Sequence, residues 1–304
     1  MEKTISIELC VIGAGRVGTT ISYTLAKKGF QNIRLKAISS RSIDSLDRAK
    51  KILGNMASDV IFTRNNLEAA ALANCILICT PDDTIKGVCS EIFNERVGNF
   101  KNYYTIHFSG SKSLEVLNSA RAAGAEIASI HPLKSFASIE EAIKSLPGTV
   151  FGITYSSLKS KRLAEFLVKN LGGEVIEVED SKKPLYHAAA CVASNYLVTL
   201  INYAVLIYKR IGIKPEDSLK GLMGLVEGTI SNIKKMGTKK SLTGPIARGD
   251  IGTIKEHITS FNKFFSREEI TLYKTMGIET GKIAFQNKWI NKGIIEELKK
   301  VLKE

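Results

Sequence analysis

The sequence predicts an α/β protein in which a mostly parallel sheet, built from residues 1–180, precedes an all-helical domain, residues 181–304. Three observations carry this reading. Between residues 5 and 180, short β-rich runs (ISIELCVIG, IRLKAIS, ANCILICT, YYTIHFS, EIASIHP, GTVFGITY and EVIEVE) alternate with amphipathic stretches, the pattern of parallel strands joined by helical crossovers. After Asp180 such runs stop. A glycine-rich turn follows the first run directly. The 304 residues, 44% hydrophobic, suffice for two packed cores and exclude a disordered or collagen-like chain.

Taken in order, the first run ends in Gly13-Ala14-Gly15-Arg16-Val17-Gly18, and a helix follows whose Val17, Ile21 and Leu25 share one side. Each glycine has a task there: Gly13 permits the tight turn, Gly15 lets the backbone approach a pyrophosphate, and Gly18 lets helix and strand pack closely. The ligand's charge then meets the free N–H groups of the helix start. So placed, the motif predicts a dinucleotide-binding domain of Rossmann type, with cofactor contacts at Gly13, Gly15, Arg16, Val17 and Gly18. The second strand ends Ile38-Ser39-Ser40-Arg41-Ser42. A carboxylate at this point would take the ribose 2′-hydroxyl, whereas Ser39, Ser40 and Arg41 suit a 2′-phosphate, so the expected cofactor is NADP rather than NAD. The plain alternative makes Arg41 a solvated cation and Ser42 a helix N-cap.

Thr80-Pro81-Asp82-Asp83 closes the run ANCILICT, and His107-Phe108-Ser109-Gly110-Ser111 closes YYTIHFS. Ligands of open parallel sheets collect beyond the carboxyl ends of the strands. Thr80, Pro81 and Ser109 are therefore expected at the nicotinamide, with Ser109 also reaching substrate, while Asp82 taken alone reads as a helix cap. EIASIHP runs into His131-Pro132-Leu133-Lys134-Ser135. His131 is either a general acid or base during hydride transfer or a histidine that holds the turn. Lys134 either binds a substrate carboxylate or faces solvent.

In the second half, Pro184 and Pro215 suit first turns of helices, Ser266 and Glu269 form a capping-box pair, and Gly212 follows a helix end. At about 100° per residue, His187, Cys191 and Ser194 fall together on one helix, with Asn195 to one side. The small residues around them admit a cofactor ring or a neighbouring backbone. His187 is thus a second candidate proton donor, and Asn195 a group that orients substrate. The segment from Ala188 to Ile207 is strongly hydrophobic, but Ser194, Asn195, Thr199 and Asn202 interrupt it. A buried helix of a soluble protein is expected, with no membrane partner. The loop from Ser241 to Asp250 offers Thr243 and Arg248 to an anionic substrate, while Asp250 is placed to cap the next helix.

Charge is unevenly shared. Residues 1–180 carry 22 basic against 19 acidic side chains, and residues 181–304 carry 21 against 11. The lysines of the second half are scattered along helix faces without interleaved aromatics, so a solvated surface is expected and no nucleic-acid partner. The five cysteines, Cys10, Cys75, Cys79, Cys89 and Cys191, lie mostly in apolar stretches without paired spacing, and the chain enters a strand without a secretory leader. Reduced thiols, no metal and a cytoplasmic protein follow.

Together these motifs resemble the 6-phosphogluconate-dehydrogenase-like superfamily, NAD(P) reductases whose Rossmann domain precedes a helical domain that commonly dimerises. The phrases HPLKSF, YHAAACVASNYL and LTGPIARGD are similar, in that order and over almost the whole chain, to a bacterial family of Rossmann-like NADP oxidoreductases with a C-terminal domain of unknown function. The resemblance implies NADP and a homodimer through the helical domain, in which a partner subunit can supply Thr243 and Arg248. Pyrroline-5-carboxylate reductase and ketopantoate reductase share the Rossmann start and the NADP-type loop, and prephenate dehydrogenases share the His-Pro. Prephenate dehydrogenases usually continue with a small residue and glycine, where this chain has Leu133-Lys134-Ser135. Ketopantoate reductases use a lysine early in the helical domain, to which Lys183 is the nearest match. The expectation is an NADPH-dependent reductase of a small carboxylate-bearing ketone or imine, a 2-keto acid such as ketopantoate first. A non-catalytic NADP-binding sensor and a prephenate-like dehydrogenase are the alternatives.

Overall fold

The computed structural model describes residues 7–27, 32–95 and 100–303. Two compact units divide it, Met1–Tyr196 and Leu197–Glu304. In the first, β1 (Ile7–Ile12), β2 (Ile33–Ser39), β3 (Ile61–Thr63), β4 (Cys75–Ile78), β5 (Tyr104–His107), β6 (Glu126–Pro132), β7 (Val150–Tyr155) and β8 (Glu174–Glu177) form one sheet. Its order is β3-β2-β1-β4-β5-β6-β7-β8. All neighbours are parallel except β6 and β7, where His131 lies opposite Gly152. The order switches direction between β1 and β4, which opens a crevice beyond Ile12 and Ile78. The runs expected from the sequence are all strands. The three residues of β3 are too few for any periodicity to show, and that strand was not expected.

Connecting helices are α1 (Arg16–Lys27), α2 (Ile43–Leu53), α3 (Asn66–Ala71), α4 (Ile85–Glu95), α5 (Asn118–Ala122), α6 (Ile139–Ser145) and α7 (Leu158–Asn170). Successive strand residues face opposite sides, so Leu9, Val11, Leu77 and Ile106 pack with Ile21 and Leu167 in one layer. Cys10, Ile12, Ile76 and Ile78 pack with Ile85, Cys89 and Ile92 in the other. Both faces are covered, as parallel strands require. Ser42, Asn65 and Ser157 cap α2, α3 and α7 through their side chains, Ser157 with a full capping box.

The next helix, α8 (Lys183–Arg210), begins inside the first unit. That unit runs to Tyr196, and within it Lys183 is buried, with its Nζ donating to the Ser109 carbonyl and the Ser129 hydroxyl. The helix itself is not the buried one expected from its hydrophobicity. Among the described residues, Lys183 is its one buried position, while Leu185 is 77% and Val198 68% exposed. By length and composition Asp180–Arg210 can cross a membrane, and none of its apolar window is covered by this chain. Hydrophobicity reports that a helix needs a cover, not where the cover comes from.

The second unit holds the end of α8 with α9 (Pro215–Lys240), α10 (Pro245–Arg248), α11 (Ile251–Phe264), α12 (Arg267–Gln286) and α13 (Lys292–Lys303). As the sequence predicts, Pro184 and Pro215 lie in first turns, Asp250 caps α11, and Ser266 with Glu269 caps α12. Ile254, Ile258 and Phe261 of α11 pack on Leu298, Val301 and Leu302 of α13. Along α9 only Ser218 and Leu222 are buried, and Leu219, Leu225, Ile233 and Met236 are exposed.

Gly281 makes the close approach of α12 and α13 possible, since a Cβ there would sit 2.5 Å from Leu298 Cδ2. Gly281→Ala should destabilise the chain by about 1–3 kcal/mol through overpacking, read as a lowered urea midpoint with an unchanged slope.

Candidate active site

Beyond the carboxyl ends of β1, β2 and β4 lies a cleft of about 480 Å³, bordered by Gly13, by Ser40 to Ser42, by Thr80 and Pro81, and by one side of α4. At Gly13, φ is 108°, and a Cβ would lie 2.8 Å from the Cys79 carbonyl oxygen. At Gly18 a Cβ would lie 1.9 Å from the Gly13 carbonyl oxygen, so α1 starts hard against the turn. A Cβ on Gly15 would meet nothing within 4 Å. The turn is thus closed where strand and helix pack and open where a pyrophosphate would approach. The buried hydroxyl oxygen of Thr80 has no hydrogen-bond partner among the described residues. These features fit a bound dinucleotide.

The other residues expected at the cofactor divide by role. Val17 is half-buried and packs on the core, and Arg16 donates to the Phe136 carbonyl. Ser39 is buried and its hydroxyl donates to Asn66 Oδ1 at 2.7 Å. Ser40 Oγ accepts the Ser42 N–H, and Ser42 caps α2. Arg41 is exposed at the cleft and has no ion-pair partner among the described residues.

From Pro81 the chain passes to Asp82, which does not cap a helix with its side chain. Its Oδ2 accepts from the hydroxyls of Ser109, at 2.7 Å, and Ser111, at 2.9 Å. The Ser109 hydroxyl oxygen also accepts the N–H groups of Ser111 and Lys112. That side chain, expected at nicotinamide and substrate, is therefore committed to organising its own loop. The Ser109 N–H donates to His107 Nδ1, and the Ser109 carbonyl accepts from Lys183 Nζ at 3.0 Å. Burial lowers the Lys183 ammonium to about 8, against the pull of Asp180 and Asp82. Burial, then Lys183, pushes His107 down to about 3.

The loop between Ser109 and Ser111 ends against two imidazoles. A Cβ on Gly110 would lie 2.6 Å from His187 Cδ2 and 2.8 Å from His131 Nε2. His131 Nδ1 is 3.0 Å from the Tyr186 hydroxyl, and a Cβ on Gly152 would lie 2.4 Å from that hydroxyl oxygen. Burial, then His187 and Lys183, holds His131 near 4. The His131 and His187 ring centres are 5.7 Å apart, and His187 Nδ1 lies 3.7 Å from Cys191 Sγ.

Around these rings is a pocket of about 490 Å³, formed by the end of β6 with Leu133 to Ser135 and by His187, Cys191, Ser194 and Asn195 of α8. The grouping on α8 is the one expected from helical spacing. Lys134 borders the pocket, but its ammonium donates to the Ser145 carbonyl. No carboxylate lines this pocket among the described residues. Thr243 and Arg248 belong to the second unit, Thr243 in the turn before α10 and Arg248 at its end, both exposed. Asp250 accepts from the Thr253 N–H and hydroxyl, which with Arg248 and His257 nearby keeps its carboxyl below the usual range.

Sequence reasoning missed Lys183, except through a resemblance, together with Tyr186, Ser129 and the true role of Asp82. Lys183 follows Lys182 at a helix start, where a lysine pair reads as solvated surface. Only contacts distant in sequence reveal its burial.

No curated protein matches this chain. A family model described as a Rossmann-like domain matches residues 3–132, and one described as a domain of unknown function, DUF2520, matches residues 149–280. Among solved structures, protein TM1727 from Thermotoga maritima is similar with a TM-score of 0.70 and 27% identity, over 92% of this chain and 99% of that one. Plasmodium falciparum pyrroline carboxylate reductase with NADP bound has a TM-score of 0.57 and 14% identity, over 98% and 99%. A reductive aminase from Aspergillus terreus in complex with NADPH and ethyl-5-oxohexanoate has a TM-score of 0.57 and 12% identity, over 98% and 93%. The last two share the fold.

His131 titrates near 4 when folded, against 6.5 for an unperturbed histidine. Between those values the unfolded chain binds more protons, so the stability contributed by neutral His131 is complete above about pH 6.5 and is lost as the pH falls through 4. Urea midpoints taken from pH 7 to 4 should fall for the wild type and fall less steeply for His131→Gln.

Proposed function

We propose that this chain, which matches a Rossmann-like domain over residues 3–132 and DUF2520 over residues 149–280, is an NADPH-dependent reductase of a small carboxylate-bearing ketone or imine. One observation carries the reading: a single hydrogen-bonded loop links the dinucleotide cleft to the imidazole pocket. Thr80 and Pro81 border the cleft, Asp82 ties them to Ser109 and Ser111, and Gly110 between those serines touches His131 and His187. Cofactor and substrate sites so joined put a transferable hydride next to groups that handle protons. The structures similar in fold include a carboxylate-named reductase and an aminase, with NADP and NADPH respectively.

Bound NADPH would supply the hydride, held by Gly13, Gly15 and Thr80, with Arg41 meeting the 2′-phosphate. His131, kept neutral, offers its Nε2–H as a hydrogen bond to the substrate oxygen or nitrogen. His187, whose ring centre is 5.7 Å from that of His131 and which lines the same pocket, hands over the proton that completes reduction. The absence of a lining carboxylate favours an anionic substrate, such as a 2-keto acid or a cyclic imino acid, oriented by Ser194 and Asn195. The uncovered faces of α8 and α9 are those of a helical domain that pairs with a second copy, and such a homodimer gives Thr243 and Arg248 a route to the substrate carboxylate. Five free cysteines suit a reducing, cytoplasmic compartment.

Nicotinamide fluorescence titrations should give at least about tenfold tighter binding of NADPH than of NADH, and Arg41→Ala should remove that preference. A panel of 2-keto acids and cyclic imines should then show NADPH oxidation. Asn195→Ala should lower kcat by about 10- to 100-fold while leaving NADPH affinity within about twofold. NADPH binding without turnover of any panel member would turn the reading towards a sensor, and binding of neither cofactor would end it.

A further inference from the structure

The cleft extends past the phosphate and ribose positions along α4, where Gly87, Val88 and Glu91, with Thr84 in the turn just before the helix, follow at three- and four-residue spacing on one side. Glu91 lies about 10 Å along the helix from Thr84, at a rise of 1.5 Å per residue. Its Oε2 accepts from Asn66 Nδ2 at 2.9 Å, and Asn66 Oδ1 accepts from the Ser39 hydroxyl at 2.7 Å. The amide is thereby held from the end of β2 and presents the carboxylate to the cleft. No Lys or Arg lies within ion-pair distance of Glu91, and its Oε1 has no hydrogen-bond partner, among the described residues. Beside it, a Cβ on Gly87 would meet nothing within 4 Å, so this stretch of helix is bare and flat next to Val88.

An unpaired carboxylate at the far end of a cleft that takes an anion at its near end calls for a hydrogen-bond donor on the ligand. Placed beyond a ribose whose 2′ position is phosphorylated, that donor is on the base. We infer that Glu91, held by Asn66, reads the adenine of the dinucleotide by accepting a hydrogen bond from its 6-amino group, with the ring lying over Gly87 and Val88. The inference rests on the cofactor reading above and adds to it a preference for adenine over 6-oxopurines.

The test is isothermal titration of the wild type and Glu91→Gln with NADPH and with its 6-deamino analogue, reduced nicotinamide hypoxanthine dinucleotide phosphate. Glu91 is exposed, so the substitution spares the core. The wild type should bind NADPH about tenfold tighter than the analogue, the scale of one hydrogen bond to a charged group. In Glu91→Gln the ratio should shrink to about twofold, partly because the new amide N–H can donate to the 6-oxo group. Equal affinities in the wild type, or an undiminished ratio in Glu91→Gln, would overturn the assignment of adenine to Glu91 and leave the cofactor reading standing. Failure of the wild type to bind either dinucleotide would overturn both.

Discussion

One buried ammonium holds the candidate site together. Lys183 sits at the first residue of α8 with its charge out of water, a state tolerated only because the Ser109 carbonyl and the Ser129 hydroxyl accept from it. Through Ser109 it fixes the loop after β5, through Ser129 it fixes β6, and through its own backbone it fixes where α8 begins. The loop after β4 joins by way of Asp82. Four segments remote in sequence therefore converge on one cation, and the positions of His131, Tyr186 and His187 follow from that convergence.

The electrostatics follow from the same arrangement. Burial is the first reason that His107 and His131 are held neutral well below neutral pH, and the nearby Lys183 ammonium adds to it. Tyr186 holds the His131 ring from its other side, with its hydroxyl 3.0 Å from Nδ1 and Nε2 turned towards Gly110. Glycine is required there for space: two rings occupy the volume of any side chain.

Much of this architecture was legible in the sequence, for physical reasons that differ by element. The strands show because burial on both faces demands continuous apolar runs, and the Gly13 turn shows because no other residue permits both its φ and the approach at Gly18. The cluster of His187, Cys191 and Ser194 shows because helical geometry is local. Asp82 was opaque: an aspartate after Thr-Pro at a helix start looks like a cap, and its serine partners lie some 27 residues away. Hydrophobicity along α8 promised burial, yet among the described residues Lys183 is its one buried position, because composition carries no information about which surface covers a helix. Lys183 was hidden most deeply, since a lysine next to a lysine advertises solvent.

The single antiparallel pairing in the sheet has its own consequence. Because β7 runs opposite to β6, its carboxyl end emerges at the edge where β6 begins, with the Ser156 N–H bonded to the Ile127 carbonyl. The strand thus contributes a mid-strand glycine, Gly152, as a seat for the Tyr186 ring, while the loop that follows it leaves at the edge opposite Pro132. The turn into α7 is in effect a service entrance: an epitope, a fluorophore or an evolutionary insertion placed there would decorate the protein on the side away from the candidate site.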